Sequence, residues 1–319
     1  MEKTKVFIAD SIAKEGMEEF AKFPALELVV KTGLAPELLK AELGDSAGLV
    51  VRSATQATRE IIAAGASLKV IGRAGAGVDN IDVKAATERG IVVLNTPGGN
   101  AEAAGELAVA LMFALARDIV RADASMKAGT WDKKSFNGVE LCGKTLGLVG
   151  CGHVGSIVAR RAVALGMKVI VADPILDSRA TDALGARLVG FDEVIRTSDF
   201  ISIHSPRTEQ TKGLFNGKTF SMMKKGVCLV NCARGGIVVE KDLIEALDKG
   251  LVRGAAVDVY DKEPPVDWSL AKHPKVIATP HIGASTGEAQ VNVSVMIARQ
   301  MGAYLTRGEV VNAVNASTP

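Results

Sequence analysis

The 319-residue chain has almost no excess of charge: 38 lysines and arginines face 36 acidic residues, for a net +2. Without a broad basic field, nothing recommends a nucleic acid or a membrane surface as a partner. No apolar run approaches the ~20 residues needed to span a bilayer. The opening Met1-Glu2-Lys3-Thr4-Lys5 lacks the character of a signal peptide. Cysteines are few. Cys142, Cys151, Cys228 and Cys232 form no C-x-x-C pair and no cluster with histidine at zinc spacing, which argues against a disulfide framework or a metal site. Cys228 and Cys232 flank Leu-Val-Asn in an apolar run, where reduced cysteine behaves as a small hydrophobe. Repeats and low-complexity tracts are also absent. These gaps lead us to expect a cytoplasmic globular protein that holds no metal.

What the chain has is glycine, and its placement organises the rest. In TLGLVGCGHVGSIVARRAVALGMKVIVADP, an apolar run from Leu146 to Val149 reads as a buried strand. It is followed by Gly150-x-Gly152-x-x-Gly155, a helix over Ser156–Leu165, a stop at Gly166, a strand over Lys168–Ala172, and Asp173. A lone G-x-G-x-x-G is weak evidence; inside a strand–turn–helix–strand–acid unit it is strong. The first glycine allows the sharp turn, the second lets backbone approach a pyrophosphate, and the third lets helix pack on strand. Free N–H groups at the helix start, with its dipole, hold the diphosphate. Asp173 then stands where a ribose 2′-hydroxyl would be met, which points to NAD.

The rest of the chain alternates short strands and helices, the pattern of parallel sheets covered on both faces. In the first hundred residues we expect strands over Lys5–Ala9, Leu26–Val30, Gly48–Val51, Leu68–Ile71 and Ile91–Leu94. Helices are expected over Ile12–Phe23, Pro36–Leu43, Arg59–Ala64 and Val83–Arg89. Arg52 and Arg73 fall at two of these strand ends, followed by Ser53 and Gly75. In open α/β sheets ligands bind outside the carboxyl ends of strands, so the pair is a candidate anion site. Thr96-Pro97-Gly98-Gly99 breaks the alternation. Beyond it Asn100 can cap one long helix through GELAVALMFALARDIVRAD, and Trp131, Lys133 and Lys134 follow in a loop. From Lys144 the alternation resumes, with strands over Phe200–His204, Val227–Cys232, Gly254–Val259 and Val276–Thr279 and a helix over Asp242–Asp248. Ser285 with Glu288 has the spacing of a capping box before a helix to about Tyr304. The expected fold class is α/β, with two doubly wound parallel-sheet domains. One comprises 1–97 and 287–319; the other, 98–286, is inserted in it.

Arg234, Glu263 and His281 lie in loops after three strands of the second domain. Interconversion of a 2-hydroxy and a 2-keto acid by hydride transfer needs such a set. A guanidinium grips the carboxylate and polarises the carbonyl, and a histidine exchanges the hydroxyl proton. A nearby carboxylate orients the imidazole and favours its charged form.

With GLVGCGHVG, the segments NCARGGIV, AAVDVYDKEPP and TPHIGAST resemble the D-isomer-specific 2-hydroxyacid dehydrogenases. VRSATQAT, GRAGAGVDNID and GIVVLNTPGGN are similar to the D-3-phosphoglycerate dehydrogenase branch of that family. The resemblance covers essentially the whole chain. It implies a Rossmann domain inserted in a flavodoxin-like substrate domain, with Arg234, Glu263 and His281 as the catalytic set. It implies NAD contacts from Gly150, Gly152, His153, Val154 and Gly155, from Asp173, Ser205, Cys232, Ala233 and Asp258, and from Gly283 and Ala284 in the turn after His281. Arg52, Ser53, Arg73 and Gly75 correspond to the substrate side. The implied reaction oxidises 3-phospho-D-glycerate to 3-phosphohydroxypyruvate with NAD, the first step of L-serine biosynthesis. The alternatives within the resemblance are a glyoxylate or hydroxypyruvate reductase and an NAD-sensing corepressor. It also implies a homodimer, or a tetramer, pairing mainly through the nucleotide domain. The chain departs from relatives at His153, where arginine is common, and at Ala76, where some have threonine. Lys133 and Lys134 fill a segment whose arginine, in related enzymes, reaches the partner's active site. Long members continue past a segment like VVNAVN into regulatory domains; this sequence ends at Pro319.

Overall fold

The computed structural model describes residues 3–315. Met1 and Glu2, part of the start discussed above, and the last four residues of the terminal segment lie outside them. The chain divides into two units. One reaches to Asn100 and resumes at Ser285; the other is Ala101–Ala284.

The first unit alternates β1 (Thr4–Ile8), α1 (Lys14–Phe20), β2 (Leu26–Val30), α2 (Pro36–Leu43), β3 (Gly48–Val51), α3 (Arg59–Ala64), β4 (Val70–Arg73), α4 (Val83–Glu88) and β5 (Val92–Leu94). The five strands form one sheet in the order β2-β1-β3-β4-β5, every pair parallel, which is the flavodoxin-like order. GLVV of β3 is buried at every residue, as a strand covered on both faces must be. Pro36 opens α2, where its missing N–H costs nothing. The carboxylate of Asp82 accepts the Ala85 N–H at the start of α4. The fourth strand runs two residues later than the apolar pattern indicates. Pairing of Val51 with Arg73 draws Arg73 into the ladder despite its charge.

In the second unit α5 (Ala101–Ala116) and α6 (Ile119–Lys127) replace the single long helix expected from the sequence. Asp118 adopts a left-handed conformation, φ 51°, and the carbonyl of Ala116 accepts the N–H of Val139 at 2.8 Å instead of continuing the helix. A 3₁₀ turn, Lys133–Ser135, sits in the expected loop. There follow β6 (Thr145–Val149), α7 (His153–Ala164), β7 (Lys168–Ala172), α8 (Ser178–Asp182), β8 (Ala186–Leu188), α9 (Phe191–Thr197) and β9 (Phe200–Ile203). The unit ends with α10 (Gly217–Met222), β10 (Val227–Asn231), α11 (Glu240–Asp248), β11 (Val252–Val257) and β12 (Val276–Ala278). Its seven strands are parallel in the order β12-β11-β10-β9-β6-β7-β8. Counted from β6, that is the Rossmann order with a seventh strand added, and its direction reverses between β6 and β9.

The last helix, α12 (Gly287–Arg307), belongs to the first unit. Its cap is Thr286, whose hydroxyl accepts the Ala289 N–H at 3.1 Å, rather than Ser285. Val293, Ile297 and Met301 of α12 pack with Val6, Ile8, Val50 and Val70 on one face of the sheet. A Cβ at Gly72 would lie 2.2 Å from Met301 Sδ, so the helix rests on β4 only because that position has no side chain.

Candidate active site

Two of the three glycines after β6 answer steric demands of the protein itself. Gly150 has φ 89°, and a Cβ there would meet Ser205 Oγ at 2.7 Å. A Cβ at Gly155 would stand 2.5 Å from the Gly150 carbonyl oxygen. Gly152 has no heavy atom within 4 Å of its Cβ position: nothing in the protein requires glycine there. It precedes α7, whose N-terminus no side chain caps. Open space before an uncapped helix start is a cradle for an anion. Asp173, ending β7, accepts the N–H of Cys151 at 2.8 Å through Oδ2 and that of Ile175 at 2.9 Å through Oδ1. It thus ties the glycine turn to the second strand while presenting an acid beside it. These features fit a dinucleotide.

The flanking candidates separate in the structure. His153 is exposed and Val154 half-buried at the start of α7. Ser205 is buried and donates its hydroxyl to the Val149 carbonyl at 2.9 Å. Burial pushes the Cys232 thiol far above its ordinary range, which removes it as a nucleophile. Beneath the turn, burial holds the His204 imidazole down to about 4; its Nε2 lies 2.9 Å from Ser202 Oγ. His273 lies 3.3 Å from Asp248. Among the described residues no group of three or more His, Cys, Asp or Glu is placed to hold a metal ion.

Arg234, Glu263 and His281 come from loops at the carboxyl ends of β10, β11 and β12, three adjacent strands. Asn231 closes the first loop: its amide donates to the Arg234 carbonyl at 3.1 Å and accepts the Ala233 N–H at 3.1 Å. In the second, Glu263 Oε1 accepts the Tyr260 N–H at 3.0 Å. Its Oε2 lies 2.5 Å from His281 Nδ1. His281 has φ 53°, a conformation that costs a β-carbon energy and must be held from outside. Asp258 holds it. That carboxylate is fully buried and accepts Thr279 Oγ1 at 2.6 Å, the Ile282 N–H at 2.8 Å and the Gly283 N–H at 2.8 Å. Asp258, which the resemblance implies as a cofactor contact, braces the turn that carries His281, Gly283 and Ala284.

The hydrogen bond to Glu263 raises the pKa of His281 against the opposing effect of burial, and the charges of Glu263 and Asp258 add to the rise. For Glu263, burial acts upward. The His281 hydrogen bond, the Tyr260 amide and the charges of His281 and Arg234 outweigh it, and the carboxyl is held below its usual range. With Nδ1 engaged by the carboxylate, Nε2 is the nitrogen that can exchange a proton with a substrate.

The first unit holds the other cluster. Arg52 follows β3 and Arg73 ends the neighbouring β4. Arg52 donates to the Ser11 carbonyl at 3.1 Å, and Ser53 beside it is exposed. Gly75 has φ 153°, and the Arg73 guanidinium occupies the place of its side chain, with Nη1 1.5 Å from the Cβ position. Asp10, not singled out from the sequence, is buried and accepts the Arg52 N–H at 2.6 Å and Thr55 Oγ1 at 2.7 Å. Asn80, equally unsuspected, donates to the carbonyls of Arg52 at 2.7 Å and Thr55 at 2.6 Å. The available signal for Asp10 was its place just after a strand, like Arg52.

Residues 109–283 match the model of the D-isomer specific 2-hydroxyacid dehydrogenase NAD binding domain. The chain is 49% identical over 312 residues to D-3-phosphoglycerate dehydrogenase of Archaeoglobus fulgidus, an alignment covering 98% of this chain and 59% of that protein. The curated relatives it matches are thus longer. Among solved structures, a glyoxylate reductase from Paecilomyes thermophila superposes with TM-score 0.89 at 31% identity, covering 98% of this chain and 99% of that one. The NAD+-bound 3-phosphoglycerate dehydrogenase of Entamoeba histolytica gives TM-score 0.83 at 30% identity, with 98% and 99% covered. Glycine turn, strand order and sequence agree: the chain belongs to the D-isomer-specific 2-hydroxyacid dehydrogenase family and carries its NAD-binding domain.

Proposed function

We propose that the chain oxidises 3-phospho-D-glycerate to 3-phosphohydroxypyruvate, the opening step of L-serine biosynthesis. The observation that carries the chemistry is the Glu263–His281 pair at 2.5 Å, one strand from Arg234. NAD, when bound, accepts the hydride that leaves C2 of the substrate. Neutral His281 takes the C2 hydroxyl proton on Nε2, and the resulting imidazolium is stabilised by Glu263. Arg234 grips the carboxylate and polarises the C2 oxygen as the C–O bond gains double-bond character. The glycine turn and the uncapped start of α7 would hold its pyrophosphate, and Asp173 would take its ribose hydroxyls. Ser205, Cys232, Ala233, Asp258, Gly283 and Ala284 would supply further contacts to the cofactor.

Arg52, Arg73, Ser53 and Gly75 would hold the substrate's phosphate. The reading is supported by two guanidinium groups on neighbouring strand ends and by near-half identity to named D-3-phosphoglycerate dehydrogenases. A glyoxylate or hydroxypyruvate reductase is the second reading, favoured by the TM-score of 0.89 to a glyoxylate reductase; it would use the same triad and no phosphate clamp.

The partner is a second copy of the chain. Phe113, Ile119, Val120, Met126 and Trp131 expose large apolar side chains along α5, α6 and the segment after it, with Trp131 80% exposed. None of α6 is buried within the monomer, so a partner is what would cover this stripe. Four free thiols suit a reducing compartment, the cytoplasm.

The test is NADH formation from 3-phospho-D-glycerate, and NADH consumption with a panel of 2-keto acids with and without a 3-phosphate. Turnover of the phosphorylated pair supports the reading. Turnover of glyoxylate and hydroxypyruvate alone moves it to a reductase, and binding of NADH with no turnover removes both.

A further inference from the structure

We propose that Tyr260 is a positioning residue that sets Arg234, Glu263 and His281 relative to one another through its amide, its carbonyl and its hydroxyl; this rests on the triad reading above. Tyr260 lies three residues beyond β11 and is 8% exposed. Its N–H donates to Glu263 Oε1 at 3.0 Å. Its hydroxyl donates to the Thr279 carbonyl at 3.1 Å, two residues before His281. Its carbonyl oxygen lies 1.7 Å from where a Cβ of Gly235 would stand, so the chain after Arg234 is packed directly on it.

The contacts close a ring. From the Tyr260 amide the path runs through the Glu263 carboxylate to His281 Nδ1, back along the chain to Thr279, and through the hydroxyl to the same tyrosine. One end of the acid–base pair is held by the backbone of Tyr260 and the other by its side chain. Neither end can shift by itself without lengthening the Glu263–His281 bond. Asp258 fixes the shape of the His281 turn, whereas the tyrosine hydroxyl fixes that turn's distance from the Glu263 loop. Burial, with the charges of Asp258, Glu240 and Glu263, raises the pKa of the phenol above its ordinary value, which favours the protonated, donating form.

Phenylalanine at 260 would keep the ring, the amide and the carbonyl and remove only the hydroxyl. The charged groups facing His281 are the Glu263 and Asp258 carboxylates and the Arg234 guanidinium. Of these, the Glu263 contact is the one that the hydroxyl holds in register.

The experiment follows the His281 imidazole by NMR in histidine-labelled apo protein, its resonance assigned by its loss in His281→Ala. Wild type, Tyr260→Phe, Glu263→Gln and the double variant are titrated. The pH profile of kcat for NAD-dependent oxidation is recorded for the same four proteins. We expect Tyr260→Phe to lower the His281 pKa, less than Glu263→Gln does, and to move the acid limb of oxidation downward. We expect kcat to fall about three- to tenfold while the NADH Kd stays near wild type. In the Glu263→Gln background Tyr260→Phe should add no further shift, because the bond it positions is already gone. A wild-type titration in Tyr260→Phe, alongside a shifted Glu263→Gln, overturns the proposal and leaves the dyad intact. So does a kcat lowered equally at every pH, the mark of a merely structural loss. An unshifted Glu263→Gln overturns the dyad reading itself, and the proposal with it.

Discussion

Gly235→Ala should separate the arginine loop from the glutamate loop without touching either charged side chain. Gly235 does not have a left-handed backbone, so alanine brings no torsional strain of its own; the requirement for glycine is close approach alone. An added Cβ would stand 1.7 Å from the Tyr260 carbonyl oxygen, 2.2 Å from its carbon and 2.8 Å from the Asp261 nitrogen. All three are backbone atoms, so no side chain can swing aside. Opening the contact to the roughly 3.0 Å below which such pairs are not found requires the loops to part by more than about 1 Å. A displacement of that size in a catalytic constellation costs ~10²-fold in rate, and overpacking costs ~1–3 kcal/mol of stability. The assay is kcat/KM with thermal unfolding measured on the same sample. Gly152→Ala is the contrast. Its Cβ meets no protein atom within 4 Å, so the fold should be unaffected and the loss should appear in cofactor affinity. A Gly235→Ala enzyme with unaltered unfolding and kcat/KM within about threefold of wild type would refute the reasoning.

His281→Ala should lose ~10²–10⁴-fold in turnover with NADH binding largely kept; loss of NADH binding instead would assign His281 to the cofactor. NAD should be preferred over NADP by more than roughly a hundredfold, because Asp173 would face a 2′-phosphate as like charge against like charge. Comparable kcat/KM for the two cofactors contradicts this. Because Asp173 also holds the Cys151 and Ile175 amides, Asp173→Ala should weaken both cofactors and narrow the gap between them. In the first unit, hydrogen bonds from Arg299 and Lys22 hold the Glu19 carboxyl down to about 2 from an ordinary 4.5. A carboxylate depressed by folding contributes stability that is complete above about pH 4.5 and is lost as pH falls toward 2. The urea midpoint of Glu19→Gln should therefore be lower at neutral pH and fall less steeply on acidification; a parallel decline would remove Glu19 from that role.

The sequence announces what is local and periodic. Leu26–Val30, Gly48–Val51 and Lys168–Ala172 are apolar runs flanked by breakers, and the structure forms strands over those same residues. The spacing of Gly150, Gly152 and Gly155 likewise specifies a turn, in which Gly150 and Gly155 are packed too closely for a Cβ and Gly152 faces open space. Long-range hydrogen bonding is less visible. Nothing in the helical periodicity before Asp118 reveals that Val139 will claim the Ala116 carbonyl, so the helix is broken where its pattern continues. Asp258 enters only through the resemblance, as a cofactor contact. Its three bonds reach residues 21 to 25 positions away, and only total burial shows that they occupy it. Tyr260 carries no sequence signal, since its role depends on Thr279 and Gly235 arriving from other strands. Arg52 and Arg73 are each legible as strand-end charges, but their adjacency exists only through the β3–β4 ladder.

The assignment of the phosphorylated substrate is tested most directly by one ratio: kcat/KM for 3-phosphohydroxypyruvate over that for hydroxypyruvate, in wild type, Arg52→Ala and Arg73→Ala. Each charge-assisted bond from a guanidinium to a phosphate is worth ~1.5–3 kcal/mol net. Loss of one arginine should therefore lower kcat/KM for the phosphorylated substrate by about one to two orders of magnitude and leave hydroxypyruvate nearly unchanged. A ratio well above one in wild type that collapses in both variants is the predicted result. A wild-type ratio near one, or a ratio that neither substitution alters, contradicts the phosphate clamp and assigns the chain to the glyoxylate and hydroxypyruvate reductases.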